Sequence, residues 1–320
     1  MTQPDGVVPS KQGHIFNLKL FCKERKLQKP THLQLLQSEK LTLELPTSYH
    51  IPVTFTPYDQ GPIGSCTANA LCLAFKLQQP KITPPYEPSR LFLYYTTRDL
   101  SKSVGQDGAF LDDGFEALQK FGVCPESDWP YVVRQQNVKP TAKAYTSAKT
   151  HRITSWGVVA QNNLIKNIKQ VLVSNRPIVF GILVYESFES DAVQQTGIVP
   201  LPNPNKEGLL GGHALCMLGY DDSKQAFLVA NSWGSKWGTS QPGNPAFRGF
   251  CYIPYAYIAN PNLCDECLFS NGVSFPPPPP PPPKPKPVPP PPKPKPAPPK
   301  PKPRPPPPKP KKRLPRPVRR

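Results

Sequence analysis

From Ser65 onward the apolar positions change rhythm. In CTANALCLAFKLQQ, Ala70, Leu73, Ala74 and Leu77 recur at helical spacing after the turn-rich stretch TPYDQGPIGS. This predicts a buried helix whose first turn holds Cys66, with Ser65 as its N-cap. Two more helices are predicted, SRLFLYYTTRDL from Ser89 and DDGFEALQKFG from Asp112, the second closed by Gly122. NNLIKNIKQVLVSNRP, from Asn162, adds another that stops before Pro177. Beyond it the pattern turns to short β-rich runs, IVFGILVY, HALCMLGY, AFLVANSW and GFCYIPY, separated by Gly, Asn, Asp and Pro. Helices first and strands later imply an α+β chain with a helical lobe and a β lobe.

Composition divides the chain further. The formal net charge is +18 over 320 residues, but residues 276–320 hold 27 of the 49 Pro, 9 Lys, 5 Arg and no acid. Such a segment buries too little apolar surface to offset ordering entropy, so it is expected to be a disordered basic tail. As polyproline II at about 3.1 Å per residue it would reach about 140 Å. It lacks aromatic side chains for base stacking. A solvated spacer, docking to proline-reading protein modules through P-x-x-P segments, and polyanion binding are its three readings. Residues 1–50 are polar and mixed and read as a leader or short pro-segment, which leaves residues 51–275 as the body.

Other classes fall away. No run of about 18 apolar residues predicts a transmembrane helix. The N-terminus lacks the apolar stretch and small-residue cleavage site of a secretory signal. The eight Cys, at 22, 66, 72, 124, 216, 251, 264 and 267, lack the dense spacing of a disulfide scaffold. Together these favour a reducing, intracellular setting.

Cys66 is the residue most suited to chemistry. A thiol at a helix N-terminus meets unpaired backbone N–H groups and the positive end of the macrodipole, which favour thiolate. A Cys nucleophile needs a base that also protonates the leaving amine, and the chain has five His: 14, 32, 50, 151 and 213. His213 follows Gly211-Gly212 and opens the apolar run ALCMLGY, where a rigid β element would hold its ring. Asn231, in ANSWGSKWG, ends another apolar run and can accept from the ring N–H, with Trp233 covering that bond.

These residues resemble those of a papain-like cysteine peptidase. DQGPIGSCTANA (59–70), GGHALCMLGYDD (211–222) and NSWGSKWG (231–238) follow the family's order of Gln, Cys, His, Asn, and the likeness runs from about Ile51 to Tyr257. The wording is similar to a signal-less branch seen in bacteria and large DNA viruses. The resemblance implies a two-lobe α+β fold with a cleft. It also implies Cys66 as nucleophile, His213 as base and acid, Asn231 orienting His213, and Gln60 donating to an oxyanion hole beside the Cys66 N–H. Ile63 stands where secreted members have a Cys, GQDGAFLDDG (105–114) where their Gly-rich segment supplies its partner, and Thr67 where an aromatic is usual. The leader is shorter than the family's inhibitory pro-domain.

The reading is therefore a cysteine endopeptidase acting on polypeptides. A deamidase or acyl transferase using the same residues, and an interaction protein working through the tail, are the alternatives. Without a phosphate-binding Gly loop or a metal-binding His pair, no cofactor or metal is expected. Cys264 and Cys267, in CDEC, have no second pair for a zinc or redox role and read as a local surface or packing feature. Asp112-Asp113 and Asp221-Asp222 read as cap and turn residues, and Trp129, Trp156 and Trp237 as core or cleft wall.

Overall fold

The structure, a computed structural model, describes residues 44–52, 55–79, 86–241, 244–275 and 304. Most of the leader and all of the basic proline-rich tail except residue 304 lie outside them, and so do the expectations about the tail and about residues 1–43 of the leader. The fold belongs to the unit spanning residues 1–277.

A short strand β1 (Ser48–His50) precedes the helix predicted at Cys66, α1 (Cys66–Gln78). Every residue of α1 from Cys66 to Phe75 is buried. A helix covered on all sides in this way is the centre of a lobe, and small side chains at Ala68, Ala70 and Ala74 let neighbours approach. Next come α2 (Arg90–Leu100), capped by Ser89 accepting from the Phe92 N–H and buried from Leu91 to Arg98, and the amphipathic α3 (Leu111–Lys120). Gly122 ends α3 in the left-handed region at φ +78°, its N–H bonded to Ala117 O. A shorter helix the apolar pattern did not reveal, α4 (Ala142–Ala148), completes this lobe.

Strands β2 (Arg152–Ile153) and β3 (Trp156–Val158) lead to α5 (Leu164–Val173) and then the apolar β4 (Ile178–Tyr185). After α6 (Asp191–Thr196) comes the longest strand, β5 (Leu209–Asp221). It begins four residues before His213, so the two glycines belong to the strand instead of preceding it. Then follow β6 (Ala226–Ala230), β7 (Thr239–Gln241), β8 (Asn244–Pro254), α7 (Tyr255–Ala259), β9 (Cys264–Ser270) and β10 (Val273–Ser274). One antiparallel sheet runs β3-β9-β4-β5-β6-β8-β7, with β1 also on β5, and β10 pairs β2.

The central strands are apolar on both faces because each face has its own core. Along β5, Ala214, Cys216 and Leu218 enter the core built on α1 to α4, while Leu215 and Met217 enter a second one with Ile168, Leu172, Phe188 and Tyr257. The CDEC segment is part of β9, where a bulge opposite Phe180 and Ile182 breaks the register. Both of its thiols are buried, so the packing role holds. Trp129 and Trp237 are buried too, and Trp156 stacks on Phe115. Asp221 accepts from the Ser223 N–H in a turn, and Asp112 and Asp113 lie in the first turn of α3. No helix among the described residues is long and apolar enough to cross a membrane.

Gly122 and Gly105 both have positive φ, but a Cβ at Gly122 would come within 2.0 Å of Ala148 O, whereas at Gly105 it meets nothing within 4 Å. Gly105→Ala is expected to cost about 1 kcal/mol of backbone strain, and Gly122→Ala about 2–4 kcal/mol because overpacking adds to it. Urea unfolding midpoints at unchanged slope measure both; equal losses would show that the clash relaxes.

Candidate active site

Asn231 leaves the end of β6 with its backbone N–H on Gly249 O, which fixes its side chain beside the middle of β5. Its Oδ1 accepts from His213 Nε2 at 2.8 Å and from the Ser232 N–H at 2.8 Å. A backbone N–H can only donate, so the amide oxygen must face it, and Nε2 must then carry a hydrogen toward the same oxygen. The tautomer is set accordingly, and Nδ1 is the ring nitrogen left to exchange a proton. His213 is fully buried, and Trp233 stacks on its ring at 5.0 Å and 25°. Trp233 in turn packs against Phe188 and Trp237.

Ser232 also reaches the other half of the chain. Its hydroxyl donates to Gln60 Oε1 at 2.6 Å, and its carbonyl accepts the Gln60 N–H at 2.9 Å. With Oε1 held this way, Nε2 is forced to the opposite side, where one hydrogen meets Ile63 O at 3.0 Å. The amide carries a second hydrogen beyond the one given to Ile63 O. Gln60 and Asn231 are both buried.

Cys66 opens α1. Ser65 occupies the N-cap position but makes no side-chain cap; its hydroxyl is drawn to Tyr131 and Asn69 instead. The capping expectation is corrected in that respect, and the Ser65 side chain does not compete for the first-turn N–H groups. The expected thiolate preference is also corrected. Burial pushes the Cys66 thiol up more than its neighbours pull it down. Those neighbours are the Ala214 N–H, the Thr67 N–H and the Thr67 hydroxyl. At 4% exposure the sulfur has lost its hydration, and a helix N-terminus alone does not replace it. Because Ala214 follows His213, its contact with the thiol brings Cys66 to the part of β5 that carries the imidazole.

Thr67 does more than fill the place of an aromatic. Its hydroxyl donates to Ala109 O at 2.8 Å, tying the nucleophile's helix to the segment 105–114. The four residues predicted as a site, Gln60, Cys66, His213 and Asn231, thus lie in one connected region. Sequence reasoning missed Ser232 as the link, although it stood inside the NSWGSKWG motif. The other described His lie apart: His50 pairs Gly219 on β1, and His151 stacks on Tyr86 at 4.1 Å in the helical lobe. Among the described residues, no group of three or more His, Cys, Asp or Glu is gathered to hold a metal.

Residues 88–242 match the model of the papain family of cysteine proteases. An uncharacterized peptidase C1-like protein of Acanthamoeba polyphaga mimivirus is 38% identical over 68% of this chain and 70% of its own length. Cysteine proteinase 1 of Entamoeba histolytica is 24% identical, and the chain spans 59% of it. Among solved structures, xylellain, a cysteine protease from Xylella fastidiosa, superposes with a TM-score of 0.65. It is 36% identical, over 73% of this chain and 89% of that one.

Thr67→Val keeps the shape and removes a hydroxyl whose one hydrogen lies on Ala109 O. That hydroxyl can lower the thiol only by turning to the sulfur as the thiolate forms. The alkylation rate of Cys66 with iodoacetamide, followed against pH, should therefore rise at a higher pH than in wild type. An unmoved or lowered midpoint would limit the hydroxyl to holding Ala109.

Proposed function

The chain belongs to the papain family of cysteine proteases, and from that premise we propose that residues 51–275 are a catalytic domain that cleaves peptide bonds within polypeptides through a thioester on Cys66. One observation carries the reading: the hydrogen-bonded series His213, Asn231, Ser232, Gln60, which ends at the loop leading into the helix that Cys66 opens.

The thiol, raised by burial, stays protonated until a base takes its proton. His213 Nδ1 is that base, and the resulting thiolate lies at the N-terminus of α1 where backbone N–H groups favour negative charge. The sulfur attacks the amide carbon and forms a C–S bond as the carbonyl oxygen becomes an oxyanion. Gln60 Nε2 and the Cys66 N–H donate to that oxygen. The proton on Nδ1 passes to the leaving nitrogen, the C–N bond breaks, and the thioester remains. Water then attacks with Nδ1 again as base, the C–S bond breaks, and the proton returns to sulfur. Asn231 holds the ring through Nε2 across both proton transfers, and Trp233 keeps water from that bond.

The P-x-x-P repeats and interspersed Lys and Arg of residues 276–320, without aromatic side chains, support a second role. That segment serves as a spacer and docking element for proline-reading protein modules, and catalysis does not need it. We divide the chain into leader 1–50, catalytic domain 51–275 and tail 276–320, the leader's last strand β1 being paired with β5 of the catalytic domain.

A peptide-library digest read by mass spectrometry tests the chemistry. Wild type should give cleaved fragments, and Cys66→Ala none. Gln60→Ala should lower kcat by about 100-fold, the equivalent of about 3 kcal/mol of oxyanion stabilisation. Equal products from wild type and Cys66→Ala would reject the thioester route, and deamidated or amine-exchanged products would replace hydrolysis with acyl transfer. Deleting 276–320 should leave turnover of short peptides unchanged; its loss would contradict the domain division.

A further inference from the structure

The two donors assigned to the oxyanion, Gln60 Nε2 and the Cys66 N–H, sit at the ends of one loop. It contains Gly61 at φ +61°, Pro62 and Gly64. Outside the site just described, a polar cluster grips both ends of this loop.

At its base Arg90, at the start of α2, pairs through NH2 with Glu126 Oε1 at 3.3 Å. The guanidinium lies between two rings, 4.6 Å from the centre of Tyr58 and 4.0 Å from that of Tyr131. Glu126 also accepts the Tyr131 N–H at 3.0 Å, so one carboxylate sets the places of both Arg90 and Tyr131. From Arg90 the hydrogens run in one direction. NH1 donates to Asp59 O and to Asn69 Oδ1, each at 3.2 Å. Arg can only donate, so Asn69 must present Nδ2 on its other side, where it donates to Ser65 O at 2.9 Å and Ser65 Oγ at 3.0 Å. Tyr131 spends its single hydrogen on Gln60 O at 2.8 Å. Between Ser65 Oγ and the Tyr131 oxygen, 2.5 Å apart, Ser65 is therefore the donor. The chain Arg90, Asn69, Ser65, Tyr131 ends on the Gln60 carbonyl, with each bond polarising the next.

We infer that Arg90, Asn69, Tyr131 and Glu126 are positioning residues for the acyl-transfer step, which hold the Gln60–Ser65 loop at the separation its two oxyanion donors require. This rests on the roles proposed for Gln60 and Cys66. None of the four touches the reacting atoms; they act through the Gln60 and Ser65 backbone. A displacement of about 1 Å at such a donor can cost about 100-fold in rate, so a rigid ion pair beneath the loop has a kinetic consequence beyond stability. None of the four is among the neighbours that pull the Cys66 thiol down, which are groups of Ala214, Thr67 and Cys66 itself.

Tyr131→Phe removes one oxygen and keeps the ring under Arg90. In the full-length chain it should lower kcat by about tenfold with KM within about twofold, the pattern of a contact that matters in the transition state. The rate of Cys66 alkylation by iodoacetamide, which forms no oxyanion, should match wild type across pH. Ser65→Ala breaks the same chain one link away and should reproduce that split. On a Gln60→Ala background, Tyr131→Phe should add less than about twofold, because its effect passes through Gln60. Wild-type kcat in Tyr131→Phe, a full tenfold loss on the Gln60→Ala background, or alkylation falling in parallel with kcat would each overturn the inference while Cys66-dependent turnover stands. Turnover that survives Cys66→Ala would overturn the proposed function and this inference together.

Discussion

Two segments far apart in sequence meet backbone to backbone around Ser232. Gln60 N–H bonds Ser232 O, Gly234 N–H bonds Tyr58 O, and Asp59 bridges to Trp233. Onto this junction the Ser232 hydroxyl adds its bond to Gln60 Oε1. The junction is what the candidate site depends on. It brings the residue before the nucleophile's loop to the residue after the imidazole's partner, and it orients two amides at once. A Gln side chain has three rotatable bonds and a terminal amide whose oxygen and nitrogen are nearly the same size. Without a dedicated donor on Oε1, its N–H would have no fixed direction, and preorganisation would be lost before any substrate arrived.

Such a junction is tolerable only if its polar groups find partners, since Gln60, Ser65, Thr67, Asn69, His213, Asn231 and Ser232 are all buried. An unmet donor or acceptor there costs about 1–3 kcal/mol, more than a typical hydrogen bond contributes. This explains why the helical lobe devotes Arg90 and Glu126, both largely buried, to a loop of a few residues. Burial raises the carboxyl of Glu126, and the Arg90 charge is the main influence drawing it back. A buried pair of this kind adds little net stability compared with apolar packing, so its value lies in fixing one arrangement.

The fold was legible wherever burial followed a simple period. The helices at Cys66, Ser89, Asp112 and Asn162 and the runs that became β4, β5, β6 and β8 were each visible as apolar spacing. The missed elements were short or bounded unexpectedly. Helix α4 has only Ala144 and Ala148 buried, too few to set a rhythm. Strand β9 was hidden because its CDEC start places two polar residues across a bulge. Gly211-Gly212 looked like a boundary, yet both pair with β4 inside β5. At the site, Cys66, His213 and Asn231 could be singled out by their chemistry and neighbours, whereas Gln60 came only from the family resemblance. What could not be read was the net effect on the Cys66 thiol, which depends on how completely the sulfur is buried. Nor could the role of Tyr131 be read, since a Tyr in a turn carries no sign of which carbonyl it will find.

The departures at Ile63 and Thr67 now take on a physical meaning. The resemblance to secreted papain-like peptidases implies a Cys where Ile63 stands, with its partner in the segment corresponding to residues 105–114; here every described Cys is a free thiol. Ile63 is buried at 3% exposure, and Thr67 bonds Ala109. Gly114 lies so close to α1 that a Cβ would meet Leu71 at 2.3 Å. A disulfide contributes about 2–4 kcal/mol. A buried Ile side chain contributes about 1.5–3 kcal/mol, and a hydrogen bond about 1 kcal/mol, so the two solutions are of equal size. They differ in kind. A disulfide acts chiefly on the unfolded chain, whereas the Thr67–Ala109 bond and the close approach of Gly114 to Leu71 exist only when α1 and the 105–114 segment are correctly seated. The tie between the helix bearing Cys66 and its neighbouring segment is thus independent of redox state and conditional on the fold, so it weakens whenever α1 is displaced.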